Sequence, residues 1–163
     1  MGVLKILGWA AAGAAVLAAA GAATLAVQAR TVGVPPGLGV ADGRLAPCPD
    51  SPNCVSSQAD PGDRVHYMPP VPLGAPAAEA QASLRELLAA QPRVELLRDE
   101  PGYLHAVFRS ATFGFPDDVE FYLDEAAGLI HFRSAARLGQ GDMGVNRARM
   151  ERLSAELAAA LAG

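Results

Sequence analysis

Hydrophobic and polar residues divide the chain into three zones with different periodicity. The first zone is an uncharged run of 22 residues from Ile6 to Val27. Residues 31–75 are rich in Pro and Gly and show neither a helical nor a strand period. From Pro76 onward the apolar positions become periodic. The pattern therefore predicts an apolar N-terminal helix, an irregular segment and one folded domain.

The periodic zone predicts two helices around a set of strands. Residues 77–91 place Leu84, Leu87 and Leu88 on one helical stripe, and Pro92 ends it. A second stripe runs from about Val145 to Leu161. Between them lie four segments of alternating polarity separated by turn residues: 93–97, 103–110, 117–124 and 129–135. The predicted fold class is α+β, a four-stranded antiparallel meander packed on two helices and preceded by one N-terminal transmembrane or signal helix.

The N-terminal run has the length of a membrane anchor. A bilayer core needs about 20 helical residues, whereas the apolar part of a cleavable signal is about 7–15 residues long. Lys5 precedes the run, so the positive-inside rule exports everything after Arg30. We predict an anchor (1–30), a linker (31–44) and a single domain (45–163), with membrane contact through residues 6–27. The expected localisation is a bacterial inner membrane, crossed once, with the domain in the periplasm; the alternative is secretion after cleavage near Val27-Gln28-Ala29.

The exported part is acidic. Residues 31–163 contain 11 Arg, no Lys and 17 acidic residues, giving a formal charge of −6. This balance offers no electrostatic reason to bind nucleic acid, so no nucleic-acid partner is expected. In an oxidising compartment the chain's two cysteines, Cys48 and Cys54, are expected to form a disulfide. A metal site and free thiols are the alternatives; a redox pair is disfavoured because its usual spacing is C-x-x-C.

One face of the predicted sheet is polar. Pairing Ser110 with Asp117 and Asp124 with Leu129 gives three cross-strand rows: Arg109–Asp118–Ala135, Val107–Glu120–Arg133 and His105–Tyr122–His131. The simplest interpretation is an exposed face with weak ion pairs. The arginines could instead hold a carboxylate, phosphate or sulfate. A third interpretation, which we prefer, buries the charges as a network beneath the Pro-rich N-terminal segment.

A G-x-G-x-x-G pattern covers residues 139–144, but it does not indicate a dinucleotide site. No parallel strand follows, and Asp142 would repel a pyrophosphate. The simpler interpretation is a turn in which Asp142 or Asn146 caps the last helix. Backbone N–H groups there, with nearby arginines, could alternatively bind a small anion.

Several separated motifs resemble one family. CPDSPNCVSS, FRS, FGFPDDVEFYLD and HFRSAARLGQGDMGVNRARME, in this order, closely resemble the domain of unknown function 1499 over about residues 45–161. The resemblance implies no activity, substrate or cofactor. Its motifs fall on Cys48, Asn53, Cys54, Ser56, Arg109, Ser110, Asp117, Asp118, Glu120, Arg133, Ser134, Arg137, Gly139, Asp142, Gly144, Asn146 and Arg147.

Two functional classes remain. The first is a noncatalytic envelope module that binds a small anionic ligand or an envelope partner through an Arg/Asp cluster. The second is a hydrolase or transferase acting on an anionic envelope substrate, with Asp118 or Glu120, or the neighbouring Asp117, as acid or base and an Arg clamp. No cofactor or metal is expected. The candidate ligand-binding residues are Arg109, Asp118, Glu120, Arg133, Arg137, Asp142, Asn146 and Arg147.

Overall fold

The computed structural model describes residues 2–162, apart from the side chains of residues 3–8 and 10–12. Within that range it contains helices Gly2–Thr31 (α1), Ala77–Ala89 (α2) and Val145–Leu161 (α3). The strands are Cys54–Ser56 (β1), Val71–Pro72 (β2), Val94–Glu100 (β3), Tyr103–Arg109 (β4), Pro116–Asp124 (β5) and Leu129–Ala136 (β6). They form one sheet in the order β1-β6-β5-β4-β3, and β2 also pairs with β6. All the strand pairs are antiparallel.

The predicted α+β class and the meander of four strands, β3 to β6, are confirmed. Strands β1 and β2 were not predicted, and both come from the irregular segment. They are only 3 and 2 residues long, so neither contains enough positions to show an alternating pattern. Both add to the edge of β6 that faces away from β5. The Pro-rich segment is thereby joined to the sheet.

The predicted register is correct between β5 and β6 and wrong between β4 and β5. Asp124 lies opposite Leu129, as expected, but Asp117 lies opposite Phe108 and not opposite Ser110. Ser110 instead closes the connecting loop: its backbone N–H donates to the Phe115 carbonyl, and its hydroxyl accepts from the Phe115 N–H. The displacement is two residues, so each side chain keeps its predicted face.

The two helices cover one face of the sheet and form the hydrophobic core. Strand residues at alternating positions supply the sheet side of this core: Leu104, Ala106, Phe108, Val119, Phe121, Leu123, Ile130 and Phe132. Helix α2 contributes Leu84 and Leu88, and helix α3 contributes Met150, Leu153 and Leu157. The helical stripes predicted from the sequence therefore pack as expected against the apolar face.

The N-terminal segment covers the opposite, polar face. Leu45 and Ala29, the latter near the end of α1, are buried there. The backbone N–H of Gly39 donates to the Glu120 carboxylate at 2.8 Å. Gly39 has φ of +120°, a conformation that other residues rarely adopt. The interpretation of this face as solvent-exposed is wrong, because the irregular segment forms a third layer over it.

Helix α1 has the composition of a membrane-spanning segment. Within the described residues, the 19-residue stretch Gly13–Thr31 has a mean hydropathy of 1.3 and is long enough to cross a bilayer. Such a helix is compatible with either a signal sequence or a membrane anchor. Cys48 and Cys54 are joined by a disulfide with Cα atoms 5.7 Å apart. The disulfide indicates an extracytoplasmic domain.

Candidate functional site

The polar face carries a buried cluster of charged and hydrogen-bonding side chains, which we call the sheet-face network. Its members come from β4, β5, β6 and the residue that follows β6: Tyr103, His105, Asp118, Glu120, Arg133 and Arg137. Asp118 is 1% exposed and Glu120 is fully buried. Burying a carboxylate is costly unless hydrogen bonds and an opposite charge compensate it. The partners of each carboxylate therefore decide what the network can do.

Two side chains, those of Arg137 and His105, form hydrogen bonds with the Asp118 carboxylate. The Nε and Nη2 atoms of Arg137 donate to its two oxygens at 2.7 and 2.6 Å, a bidentate pairing. Nε2 of His105 lies 2.7 Å from Oδ1. Burial raises the pKa of Asp118, but the hydrogen bonds from His105 and Arg137 outweigh it and hold the pKa below its ordinary value. Asp118 is therefore an ionised, fully engaged carboxylate.

Glu120 is engaged in a different way. The Tyr103 hydroxyl donates to Oε1 at 2.7 Å and the Gly39 N–H donates to the same oxygen at 2.8 Å, while Nη1 of Arg133 lies 3.5 Å from Oε2. Burial, reinforced by the charge of Glu120, raises the pKa of the Tyr103 hydroxyl. Tyr103 thus remains a protonated donor. Nε of Arg133 is buried and has no hydrogen-bond partner among the described residues, so Arg133 is the least satisfied member of the network.

A second polar cluster lies on the core face, where α3 begins, and we call it the helix-start network. It consists of Asn53, Asp117, Ser134, Asp142, Asn146 and Arg149. Nη2 of Arg149 donates to Asp117 at 2.6 Å, and its Nη1 donates to Asn146 at 2.6 Å and Ser134 at 3.1 Å. Burial raises the pKa of Asp117, although the Arg149 guanidinium opposes the shift.

The turn before α3 adopts a form close to the predicted cap. The N-cap residue is Gly144, not Asp142 or Asn146. Asp142 nevertheless accepts the backbone N–H groups of Gly144 and Asn146, at 3.0 and 2.7 Å. The Asn146 side chain turns inward and donates to the Asn53 carbonyl at 3.2 Å. Because a carboxylate already takes these N–H groups, the turn presents little to a further anion.

The predicted ligand-binding residues do not form one site. Asp118, Glu120, Arg133 and Arg137 lie in the sheet-face network, whereas Asp142 and Asn146 lie in the helix-start network. Arg147 donates to the backbone carbonyls of Arg64, Val65 and Tyr67 and so holds an adjacent loop. Arg109 lies apart, at the exposed end of β4, 3.9 Å from Glu95. The predicted row Arg109–Asp118–Ala135 is wrong, because the register shift places Val107 opposite Asp118.

Sequence reasoning missed four contributors to these clusters: Arg149, Tyr103, His105 as a partner of Asp118, and Asn53. Strand alternation already places Asp117 and Ser134 on the core face, where an unpaired carboxylate would be costly. That burial was the available signal for a cationic partner on α3. The role of Asn53 leaves no such signal, because it depends on how the disulfide loop folds against β6.

Two open cavities lie outside both networks. The first, of about 760 Å³, lies between residues 36–50 and 56–66, and its charged lining residues are Arg44, Asp50, Asp60, Asp63 and His66. The second, of about 660 Å³, lies between the end of α1, the start of β3 and the end of β4. Neither is lined by Asp117, Asp118 or Glu120. The candidate catalytic carboxylates thus face inward, away from the open space.

We expect His66 to make the stability of the domain depend on pH. Nδ1 of His66 lies 2.6 Å from the Asp63 carboxylate and Nε2 lies 3.2 Å from the Ser51 carbonyl, so both ring nitrogens face acceptors. Burial lowers the pKa of His66, but these acceptors outweigh it and raise the pKa above 6.5. The stabilisation is complete below pH 6.5 and is lost as the pH rises through the raised value. His66→Gln should therefore cost more stability at pH 5.5 than at pH 9 in denaturant titrations.

His131 supplies the control for this prediction. Its pKa is lowered, chiefly by burial, so its protonation opposes folding. His131→Gln should show the opposite trend, with its larger relative loss at alkaline pH. An equal cost of His66→Gln at both pH values would contradict the proposed charge pairing.

Comparison with known proteins gives a family and no activity. No curated protein and no solved structure matches the chain. The family model described as "Protein of unknown function (DUF1499)" matches residues 44–157, which is more than half of the chain, and the chain therefore belongs to that family.

Proposed function

We propose that the protein is a noncatalytic binding or scaffolding module of the bacterial envelope, anchored in the inner membrane with its domain in the periplasm. One observation carries the proposal: the candidate catalytic carboxylates are buried and bound to side chains of the same chain. Asp117 pairs with Arg149, Asp118 with Arg137 and His105, and Glu120 with Tyr103 and Arg133. These groups serve the fold.

A general acid or base must come within hydrogen-bonding distance of a proton on the substrate. The carboxylate oxygens of Asp118 and Glu120 accept hydrogen bonds from groups of the same chain. Both carboxylates lie beneath the layer that includes Gly39. A substrate would have to displace that layer and break the bidentate Arg137 pairing. The geometry therefore supports a network that fastens the N-terminal segment to the sheet, as the preferred interpretation of the sequence anticipated.

The alternative function is a hydrolase or transferase that uses Asp118 or Glu120 with an Arg clamp. One observation favours it: Arg133 is largely buried, its Nε has no partner among the described residues, and its contact with Glu120 is 3.5 Å long. A guanidinium in that state could bind an anionic group if the covering segment opened. The two functions predict different behaviour when the buried charges are removed together.

The test removes the buried pair as a unit. In a noncatalytic module, Glu120→Gln combined with Arg133→Met should retain function, because removing both partners avoids leaving one buried charge uncompensated. The measurement is growth of a strain lacking the native copy, under an envelope stress that the deletion strain tolerates poorly. Protein level and thermal midpoint are recorded for each variant, so that loss of fold is separated from loss of function.

The exposed pair Arg85–Asp99, with 2.6 Å between Nε and Oδ2, supplies the matched control. Arg85→Met with Asp99→Asn should leave growth and folding unchanged, since exposed ion pairs contribute about 0–1 kcal/mol. A folded Glu120→Gln/Arg133→Met protein that cannot support growth would favour the hydrolase or transferase and contradict the noncatalytic module.

A further inference from the structure

Three arginines surround the second cavity, which we call the juxtamembrane cavity. Arg30 comes from the last turn of α1, Arg93 precedes β3 and Arg109 ends β4. The loop 110–114 closes one side with the hydroxyls of Ser110 and Thr112 and the half-buried ring of Phe113. No acidic residue other than Glu95 lines the cavity. The site is therefore positively charged in a domain whose overall charge is negative.

The positive charge is only weakly compensated. Nη2 of Arg109 lies 3.9 Å from Oε2 of Glu95, and these side chains are 39% and 61% exposed, a geometry that contributes little in water. Arg93 and Arg109 are held together by reciprocal hydrogen bonds: Nε of Arg93 donates to the Arg109 carbonyl at 3.2 Å, and the Arg109 N–H donates to the Arg93 carbonyl at 3.0 Å. These bonds hold the two arginines side by side, Arg93 just before β3 and Arg109 at the end of β4, with charge available for a ligand.

The cavity lies at a defined depth relative to the membrane. The apolar run ends at Val27, before the polar Gln28, and Arg30 follows three residues later, about 4–5 Å farther along the axis. Ala26 and Arg30 are four residues apart, share one side of α1 and both line the cavity. When α1 spans the bilayer, this position corresponds to the layer of lipid headgroups.

We propose that the juxtamembrane cavity binds the phosphate group of an anionic membrane lipid. The proposal rests on the membrane anchoring in the proposed function and adds a ligand class to it. Guanidinium groups match phosphate oxygens with paired hydrogen bonds, and hydroxyls such as those of Ser110 and Thr112 can add donors. The ring of Phe113, 5.6 Å from that of Phe115, provides an apolar wall beside the site. The lipid would fix the domain against the bilayer surface.

The test counts lipids bound to the full-length protein by native mass spectrometry in a neutral detergent. Phosphatidylglycerol is the probe, and phosphatidylcholine at equal concentration is the comparison lipid. Arg93→Ala combined with Arg109→Ala should weaken phosphatidylglycerol binding on the order of 10- to 30-fold, as expected for two arginines near an anionic surface. The control is Arg85→Ala with Arg152→Ala, which removes the same charge from the exposed faces of α2 and α3. It should change binding less than threefold.

The outcomes separate the possible ligand sources. Selective phosphatidylglycerol binding that requires Arg93 and Arg109 supports the proposal. If both double variants weaken phosphatidylglycerol binding equally, or if the protein retains the two lipids equally, the binding is nonspecific and the proposal is overturned. Displacement of the lipid by 10 mM inorganic phosphate, together with binding of phosphate in lipid-free protein, would identify a free-phosphate site instead.

Failure of this inference and failure of the proposed function give different results. Carbonate extraction and the N-terminal sequence of the protein from cells report whether the anchor is retained. Finding a soluble protein that begins near Arg30 would contradict both the proposed anchoring and the proposed lipid site. An anchored protein that binds no phosphatidylglycerol would overturn the lipid site alone and leave the noncatalytic module standing.

Discussion

Replacement of Arg137 by Ala is expected to lower the free energy of unfolding by about 3–5 kcal/mol, because it leaves a buried carboxylate without its main counter-charge. Asp118 is 1% exposed, and Arg137 donates one hydrogen bond to each of its two oxygens. A loss of this size should lower the thermal midpoint of a domain of this length by more than about 8 °C. Chemical denaturation at pH 7 with a two-state fit measures it.

Lowering the pH should reduce the difference in unfolding free energy between wild type and Arg137→Ala. The pKa of Asp118 is held below its ordinary 3.8, so its stabilisation is complete above pH 3.8 and is lost as the pH falls through the lowered value. Arg109→Ala is the matched control, because it also removes a strand-end arginine, but one whose ion pair is long and exposed. The control should cost less than about 1 kcal/mol. A melt of Arg137→Ala within 2 °C of wild type would contradict burial of the network.

A second large loss is expected from Arg149→Ala, again about 3–5 kcal/mol. This guanidinium binds Asp117, Ser134 and Asn146 together, and its Cζ lies 4.7 Å from the centre of the Phe108 ring. Removing it leaves three buried polar groups short of a donor and opens space beside the core. Because burial already raises the pKa of Asp117, the variant should take up a proton at this residue.

Arg152, three residues later on the same helix, supplies the control for Arg149. Among the residues that the structure describes, it pairs with Glu156, one turn away, at 3.3 Å, and both side chains are nearly half exposed. Arg152→Ala should cost about 0.5 kcal/mol or less. If the two variants melt together, the helix-start network contributes no more than a surface ion pair, and its assignment as a structural element is wrong.

The features that could be predicted from sequence are those that repeat along the chain. Alternation in β4, β5 and β6 assigns every side chain to its face, and the stripes of α2 and α3 mark the core contacts. The alternating pattern does not specify the register between β4 and β5. A shift of two residues preserves both faces and the apolar pattern, so alternation cannot distinguish the two registers. In the structure, Ser110 bonds to Phe115 within the connecting loop and is not paired with Asp117.

The candidate site was predicted in composition and not in arrangement. Charged residues on the polar face were recognised, and their burial was the preferred interpretation, but the sequence does not show which arginine meets which carboxylate. Arg137 follows the last strand and was not placed in any row, yet it is the partner of Asp118. The sequence analysis paired Arg109 with Asp118, but Arg109 lines the juxtamembrane cavity. Both differences follow from the two-residue shift and from the turn after β6.

The segment that follows α1 is bonded to the folded domain at four residues. Val32 and Leu38 accept from Arg137 and Arg98, at 3.4 and 3.5 Å, Gly39 donates to Glu120, and Gly43 accepts from Gln58. A free coil of residues 31–44 would let the domain wander about 20 Å from its anchor. If α1 is the proposed anchor, the bonded segment restricts how far the domain can move in search of a binding partner. Under the anchoring proposed above, a partner would have to approach the membrane surface to meet the domain, and lateral diffusion of the anchor would set how often the two encounter each other.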